Sequence, residues 1–271
     1  MINIGIISGG GKLPIVIGKN LIKKNFQVFF LCIKGFANSS DYINYNYSEV
    51  SITSFTDILN QLQKFKIDNI IMVGDILRPS ISDLRFDLTT INLIKDYLLE
   101  SKGDDQLLTT ISKFFLKNGY PLFNWKKECL ELFEVNDNLT TLTPSKNAKL
   151  NKDKGLEIFK YVGKSDIGQS LILQNKLVLG IESVEGTDEL LKRCFYYKKK
   201  GDNGILLKLS KYKQNAYIDI PTIGLNTLKF IKKYKYEGIY LEKNKCIILD
   251  KLDVINFCNQ NKIFISTTKK L

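Results

Sequence analysis

The chain has 271 residues, 44% of them hydrophobic, which is enough for one large or two modest domains with hydrophobic cores. It contains no histidine, which excludes serine–histidine and cysteine–histidine nucleophile pairs, histidine general bases and His-ligated zinc. The net charge of +12 does not by itself indicate a nucleic-acid-binding protein, because nearly all of the 40 basic residues are lysine, a composition that suggests coding bias.

The first half of the chain alternates strand and helix signals. Residues 2–7 predict a short buried strand, and three glycines separate it from a helix at 12–24 with Pro14 near its first turn. The other elements are predicted as strands at 27–33 and 70–73 and helices at 55–65, 88–100 and 105–118. This alternation is typical of a parallel sheet that helices cover on both faces.

A polar segment, residues 136–151, predicts a linker, and a β-hairpin follows at 171–173 and 177–181. Later elements are predicted as strands at 204–209, 238–241 and 246–249 and helices at 187–199 and 225–234. The sequence therefore predicts an α/β protein of two domains. An N-terminal Rossmann-like parallel-sheet domain (1–135) precedes a C-terminal mixed-sheet catalytic domain (152–271), with a ligand cleft between them.

The composition favours a cytoplasmic protein. Its five cysteines are scattered, odd in number and never in a CxxC pair, so they are predicted to be reduced and mostly buried. No apolar run approaches the roughly 18 residues that would span a bilayer. The N-terminus has no basic region of the kind that begins a signal peptide. Lysine-rich patches are compatible with an anionic membrane face.

The first candidate site is the turn Ser8–Pro14, which places Gly9, Gly10 and Gly11 between a strand and a helix. Such a turn lets backbone N–H groups and a helix N-terminus face an anion, typically a phosphate, and Lys12 would add a positive charge. The glycine spacing fits neither a Walker A loop nor a Rossmann fingerprint. A tight turn without a ligand is the alternative.

Two further motifs carry polar residues at element ends. In VGDILRP, Asp75 and Arg78 follow a buried strand, at the carboxyl end where open α/β sheets bind ligands. An Asp–Arg pair that stabilises a loop is the alternative. In GDDQLL, Asp104 and Asp105 lie at a helix start, where N-capping explains one of them. Two adjacent carboxylates would also suit a metal ion or a sugar hydroxyl.

The segment from Ser165 to Arg193 has the highest density of candidate polar groups. They surround the hairpin and a Gly-Thr helix start, and they are Asp166, Gln169, Glu182, Glu185, Asp188 and Arg193. Carboxylates that collect at element ends, rather than over a solvated face, favour a functional site. In the alternative, helix capping accounts for Thr187 and Asp188, and an i,i+4 pair accounts for Glu189 with Arg193.

Asp219 is the strongest single candidate for catalysis. It lies inside AYIDIPTIG, residues 216–224, an otherwise apolar run that resembles a strand. A carboxylate in such a run is either paired or functional, because an unpaired buried charge is costly. Since the chain has no histidine, a hard cation held by carboxylates is the natural candidate for metal chemistry here.

Together these motifs resemble the UDP-2,3-diacylglucosamine pyrophosphatases of the LpxI type, which act in lipid A biosynthesis. Six motifs occur in the expected order along nearly the whole chain: GIISGGGKLP, VGDILRP, GDDQLL, DIGQS, ESVEGTDELLKR and DIPTIG. The resemblance implies a cytoplasmic enzyme, peripherally associated with the inner membrane. Such an enzyme hydrolyses UDP-2,3-diacylglucosamine to UMP and 2,3-diacylglucosamine 1-phosphate (lipid X) by directing water to the phosphorus on the sugar side. The resemblance also implies Mg²⁺ or Mn²⁺, a homodimer and no nucleic-acid partner.

On this resemblance the essential aspartate is Asp219, as a metal ligand or as the group that orients the water, and Asp188 is a second metal ligand. The residues implied to bind substrate are Gly9, Gly10, Gly11, Lys12, Leu13, Asp75, Arg78, Gly103, Asp104, Asp105, Gln169, Glu185, Gly186, Thr187 and Lys208. The chain departs from the family pattern at Tyr212, Asn215 and Tyr217, a change that bears on binding of the diphosphate.

Three other functions stay open at this point. The chain could be another nucleotide-sugar enzyme, such as a transferase, that uses the same phosphate site. It could be a nucleotide- or lipid-binding regulator without turnover. A basic nucleic-acid binder is the third, and it would require a steeply salt-dependent affinity for a duplex.

Overall fold

The computed structural model describes residues 2–76, 87–93, 104–164, 167–212 and 220–270. These residues form two compact units, one that ends at Leu130 and one that begins at Glu131. Both units are α/β, as the alternation of strand and helix signals predicts. A ligand cleft between the two domains stays a prediction.

The first unit is built on a four-stranded parallel sheet in the order β3-β2-β1-β4. Its strands are β1 (Asn3–Ser8), β2 (Gln27–Ile33), β3 (Tyr47–Val50) and β4 (Asn69–Val73). Its helices are α1 (Leu13–Lys23), α2 (Phe55–Lys64) and α3 (Asp104–Lys117), and residues 88–93 are also helical. The sequence did not predict β3, because YSEV is a polar edge strand in which only Val50 is fully buried.

Side chains of the first sheet alternate between two packed faces. Ile7, Phe29 and Leu31 lie in the core that α2 and α3 cover. Phe30 points to the opposite face, where its ring lies against Gly18 of α1. This arrangement confirms the parallel sheet with helices on both faces.

Asp87 connects the helical residues 88–93 to the start of α2. Its carboxylate accepts hydrogen bonds from Thr90 N (2.7 Å) and Thr90 Oγ1 (2.6 Å). It also accepts from Ser54 Oγ (2.8 Å) and Thr56 N (3.0 Å). Burial alone would raise the pKa of Asp87, but these four donors outweigh burial and hold its pKa well below the usual range.

We expect Asp87→Asn to lower the free energy of unfolding of the first unit by about 1–3 kcal/mol at neutral pH, because an amide replaces a well-satisfied carboxylate. Since the folded pKa is depressed, the carboxylate stabilises the fold above the unfolded pKa of about 3.9, and this contribution is lost as the pH falls below it. The difference between wild type and variant should therefore shrink in acid. Urea unfolding followed by fluorescence of Trp125, the single tryptophan, measures it.

The control for this measurement is Asp41→Asn, which alters an exposed carboxylate of the same unit. It should unfold like the wild type at both pH values. A difference between Asp87→Asn and wild type that stays constant from pH 7 to pH 3 would contradict the assigned role of Asp87.

The second unit contains a mixed five-stranded sheet in the order β11-β9-β7-β5-β6. Its strands are β5 (Ser170–Gln174), β6 (Leu177–Ile181), β7 (Ile205–Lys208), β9 (Gly238–Glu242) and β11 (Phe264–Thr268), and a separate parallel pair is formed by β8 (Thr222–Ile223) and β10 (Ile247–Ile248). Its helices are α4 (Lys146–Val162), α5 (Gly186–Phe195), α6 (Leu225–Lys233) and α7 (Lys251–Gln260). Strands β7, β9 and β11 are parallel, whereas the hairpin of β5 and β6 is antiparallel. The predicted mixed sheet is confirmed.

The two faces of this sheet carry separate apolar cores. Leu171 and Leu207 belong to the core on the side of α4. Ile172 and Leu206 belong to the core that α5, α6 and α7 cover. Because side chains alternate along a strand, Ser170 and Lys208 lie on this second face, at the edge of the sheet.

The segment predicted as a linker, residues 136–151, is part of the second unit. Leu139 N–H donates to Ile265 O (3.0 Å) and Thr267 N–H donates to Asp137 O (2.9 Å), so the segment runs beside β11. The final residues of this segment already belong to α4, whose N-cap Ser145 accepts a hydrogen bond from Ala148 N–H. Polar composition indicated a linker, but backbone pairing decides the structure here.

All five cysteines are free and buried, as predicted. Within the ranges given above, no helix combines the length and the apolar character needed to cross a bilayer.

Candidate functional site

The glycine turn after β1 is held against the end of β4. Gly9 N–H donates to Val73 O (2.9 Å), Gly10 N–H donates to Asp75 O (2.8 Å), and Asp75 N–H donates to Gly10 O (2.9 Å). A Cβ on Gly9 would lie 2.7 Å from Asp75 O and 2.8 Å from Gly74 C, so only glycine allows this approach. The N–H groups of Gly9 and Gly10, predicted to face a phosphate, are therefore used within the fold.

The structure also brings the Asp75 side chain to this turn. Asp75 Oδ2 lies 3.3 Å from the position that a Cβ of Gly11 would occupy. The Asp75 carboxylate therefore borders the predicted phosphate position at Gly11. Lys12 and Leu13 follow at the start of α1. Substrate binding by the residues of this turn stays a prediction.

Four predicted site residues, Arg78, Gly103, Asp166 and Asp219, lie outside the described residues. Asp104 is the first residue of α3 and Asp105 is the second, in agreement with the predicted helix start. The side chains of these two residues lie outside the described part of the chain.

Polar side chains of the second unit collect at one edge of its sheet. The amino end of β5 and the carboxyl end of β7 meet there, because Ser170 pairs with Lys208 in the antiparallel register. Glu182 directly follows β6, and its N–H donates to Ser170 O (2.9 Å). Because α5 begins at Gly186, Thr187 lies in its first turn and reaches the same edge.

Lys208, Thr187 and Glu182 form a chain of hydrogen bonds. Lys208 Nζ donates to Thr187 Oγ1 (2.5 Å), and Thr187 Oγ1 donates to Glu182 Oε1 (2.8 Å). This direction is fixed, because an ammonium group has no acceptor and a carboxylate has no donor. Ser170 Oγ lies 3.4 Å from Thr187 Oγ1. We call Ser170, Glu182, Thr187 and Lys208 the edge cluster.

Two groups of the edge cluster keep unused hydrogen-bonding capacity. Glu182 is 6% exposed, and its Oε2 is buried without a hydrogen-bond partner in the part of the chain that the structure describes. Lys208 is 4% exposed, and of its three ammonium donors one is used by Thr187 in that same part. Unmet hydrogen bonds of buried charged groups are costly to stability, so this arrangement favours a binding site over a purely structural contact.

Gln169 and Gly168 support the edge cluster from the DIGQ motif. Leu209 N–H donates to Gln169 O (2.8 Å), which continues the pairing of β5 with β7. Gln169 Oε1 is a second buried acceptor without a partner in the described ranges. Gly168 lies so close to the Glu182 backbone that a Cβ would overlap the Glu182 carbonyl group.

We expect Gly168→Ala to displace the Glu182 backbone from β5 and to lower the free energy of unfolding of the second unit by about 1–3 kcal/mol, as overpacking does. Hydrogen–deuterium exchange should become faster across β5 and β6 and stay unchanged in β1 and β2, which serve as the internal control. Unchanged exchange in β5 and β6 would contradict this prediction.

Asp188, predicted as a metal ligand, connects α5 to α6. Its Oδ2 accepts a hydrogen bond from Asn226 Nδ2 (2.5 Å) and its Oδ1 accepts one from Thr227 Oγ1 (2.9 Å). These two hydrogen bonds give each carboxylate oxygen of Asp188 a partner, so its placement is explained without a metal ion. Within the described ranges, no three His, Cys, Asp or Glu side chains lie close enough together to hold a metal ion. The described donors alone therefore do not fit a Mg²⁺ site, and the metal requirement stays a prediction.

Glu185 and Arg193 form an ion pair that stabilises the entry to α5. Arg193 Nη2 donates to Glu185 Oε1 (2.6 Å) and to Ile181 O (3.0 Å). Burial alone would raise the pKa of Glu185, but the hydrogen bonds, chiefly from Arg193, lower it overall. The alternative pairing of Glu189 with Arg193 is wrong, because Glu189 pairs with Lys192 (3.1 Å). Substrate binding by Glu185 and by Gly186, the first residue of α5, stays a prediction.

The structure thus brings two of the predicted substrate-binding residues, Thr187 and Lys208, into direct contact. It adds Glu182, which the sequence indicated only as one of several carboxylates, and Ser170, which it did not indicate. The signal that could have found Ser170 is strand register, since the antiparallel pairing of β5 with β7 places position 170 opposite position 208.

Two family models match consecutive parts of the chain. The LpxI N-terminal domain matches residues 3–132, and the LpxI C-terminal domain matches residues 136–266. A curated relative from Caulobacter vibrioides is named UDP-2,3-diacylglucosamine pyrophosphatase LpxI. It is 26% identical over an alignment of 272 positions, which spans 98% of this chain and 97% of the relative. Because both domains of one family match in order and together span nearly the whole chain, this protein belongs to the LpxI family.

Proposed function

We propose that this chain hydrolyses UDP-2,3-diacylglucosamine to UMP and 2,3-diacylglucosamine 1-phosphate, a step of lipid A biosynthesis. The observation that carries the proposal is the match to both LpxI domains, together with a relative of that name aligned over 98% of the chain. The edge cluster supports it, because buried polar groups with unmet hydrogen bonds lie at a sheet edge of the C-terminal domain.

Hydrolysis of a diphosphate requires neutralised phosphate oxygens, a positioned water and a stabilised leaving group. The chain has no histidine, which leaves Asp, Glu, Lys or Tyr side chains for acid–base chemistry. We assign the role of general base or metal ligand to Asp219, as the family resemblance implies. A bound Mg²⁺ or Mn²⁺ would supply charge neutralisation of the phosphate oxygens. The described donors form no such site, and we therefore assign no step to the metal.

We also propose that the enzyme is cytoplasmic, works at the inner face of the inner membrane and forms a homodimer. The diacylated substrate favours a membrane surface as the place of encounter. A net charge of +12 favours anionic lipid, at about 1 kcal/mol for each lysine near the surface.

The test is an assay of the purified chain with UDP-2,3-diacylglucosamine and Mg²⁺ in H₂¹⁸O. The expected products are unlabelled UMP and a 2,3-diacylglucosamine 1-phosphate that carries one ¹⁸O, because water attacks the phosphorus on the sugar side. EDTA should abolish turnover and Mn²⁺ should restore it. Transfer of the nucleotide or sugar to an acceptor would contradict hydrolysis, and ¹⁸O in UMP would contradict attack on the sugar-side phosphorus.

A further inference from the structure

We infer that the edge cluster binds a neutral hydroxyl group of the substrate, one that accepts a hydrogen bond from Lys208 Nζ and donates one to Glu182 Oε2. The inference deepens the proposed function and rests on it, since it concerns the substrate of the same site. Its starting observation is that Glu182 Oε2 has no partner in the described part of the chain, although Glu182 is only 6% exposed.

The direction of the hydrogen bonds limits what each group can offer a ligand. The hydroxyl proton of Thr187 is used by Glu182 Oε1, and one proton of Lys208 is used by Thr187 Oγ1. Thr187 therefore has no proton left to donate. In the 3.4 Å contact between Ser170 Oγ and Thr187 Oγ1 the donor is therefore Ser170. The charged groups that remain are further N–H donors on Lys208 and an acceptor oxygen on Glu182.

The charges of the edge cluster argue against an anion as the ligand. Lys208 and Glu182 carry opposite charges. Lys208 Nζ and Glu182 Oε1 are both hydrogen-bonded to Thr187 Oγ1, at 2.5 Å and 2.8 Å, so the two charged groups lie close together. A phosphate in contact with Lys208 would lie close to the Glu182 carboxylate, which repels it.

A hydroxyl group matches both remaining groups, because it is a donor and an acceptor at once. Both partners are shielded from solvent, so bulk water does not satisfy them and a bound hydroxyl recovers hydrogen bonds that the fold leaves unmade. The proposed substrate offers hydroxyls in two places. Acylation at positions 2 and 3 of glucosamine leaves the 4- and 6-hydroxyls free, and the uridine carries two ribose hydroxyls.

The experiment compares kcat/KM for the parent substrate with that for its 4-deoxy, 6-deoxy and 2′,3′-dideoxyuridine analogues, the last of which lacks both ribose hydroxyls. For wild type, kcat/KM should be about 10- to 100-fold lower with the analogue that lacks the bound hydroxyl than with the parent substrate. Without that hydroxyl, the buried charged groups of Lys208 and Glu182 lose a hydrogen-bond partner. A loss with a deoxyglucosamine analogue places the sugar in the edge cluster, whereas a loss with the dideoxyuridine analogue places the nucleoside there.

Glu182→Gln should abolish this discrimination to within about threefold, because an amide keeps the bond from Thr187 while its NH₂ group replaces the second acceptor. The double variant Glu182→Gln/Lys208→Met, which removes both buried charges together, should discriminate equally little. Glu189→Gln, on the exposed side of the same helix, is the matched control and should discriminate like wild type. A structural role for Glu182 would lower activity on all four substrates by the same factor.

The outcomes separate the two proposals. Suppose that the parent substrate is hydrolysed, and that kcat/KM falls on the analogues by the same factor in wild type and in Glu182→Gln. This result overturns the inference and leaves the proposed function standing. Absence of turnover overturns the proposed function. In that case calorimetric binding of the parent and deoxy compounds decides the inference: discrimination by wild type that Glu182→Gln lacks supports it, and equal or undetectable binding overturns it.

Discussion

Asp219→Asn is expected to lower kcat/KM for hydrolysis of UDP-2,3-diacylglucosamine by about a thousandfold, within the range that loss of a general base or a key electrostatic group produces. The amide has nearly the same size as the carboxylate, so the fold should persist. It cannot accept a proton from water, and it is a poor ligand for a hard cation. Steady-state kinetics beside far-UV circular dichroism measure both properties.

The two roles left open for Asp219 differ in their response to metal. If Asp219 is a ligand, the Mn²⁺ concentration at half-maximal activity should rise in the variant, and excess Mn²⁺ should restore part of kcat. If Asp219 orients the water, metal affinity should stay the same while kcat stays low. The control is Asp253→Asn, which removes an exposed carboxylate from the first turn of α7. Full activity of Asp219→Asn would remove this residue from the mechanism.

The elements that the sequence predicts correctly are those whose burial pattern is simple. Strand β2, for example, is an apolar run buried along nearly its whole length, and its predicted bounds agree with the structure. The missed elements have mixed composition. Helix α4 begins in the polar segment taken as a linker, and its few buried residues are separated by lysines and other polar residues. Hydrogen bonds between residues distant in sequence determine the structure of such segments, and composition gives no information about those bonds.

The site shows the same division between local and long-range information. Glycines at a strand–helix turn have two physical causes, close approach of a ligand or of another strand, and the sequence does not separate them. At Gly9 the cause is close approach of another strand, because the chain that follows β4 lies directly against it. The hydrogen bond from Lys208 to Thr187 joins residues 21 positions apart, and it depends on the register of β7 and on the placement of α5. Family resemblance indicated these residues separately, and only the fold joins them to each other and to Glu182.

Lys208→Met is expected to lower the free energy of unfolding of the second unit by about 3–5 kcal/mol, because the Glu182 carboxylate then stays buried without its positively charged partner. Methionine retains most of the apolar side chain, so lost packing contributes little. Hydrogen–deuterium exchange of the amides of β7 and β9, read against urea concentration, reports opening of this unit.

The double variant Lys208→Met/Glu182→Gln decides whether charge pairing causes the effect. Removal of both charges leaves no uncompensated ion, so the double variant should recover at least half of the loss seen in Lys208→Met. Lys192→Met, which breaks an exposed ion pair with Glu189, should leave unfolding unchanged. Additive losses in the double variant would show that Lys208 and Glu182 act independently. The hydrogen bonds through Thr187 would then not couple the two groups energetically, and the argument that their paired charges favour a hydroxyl would lose its support.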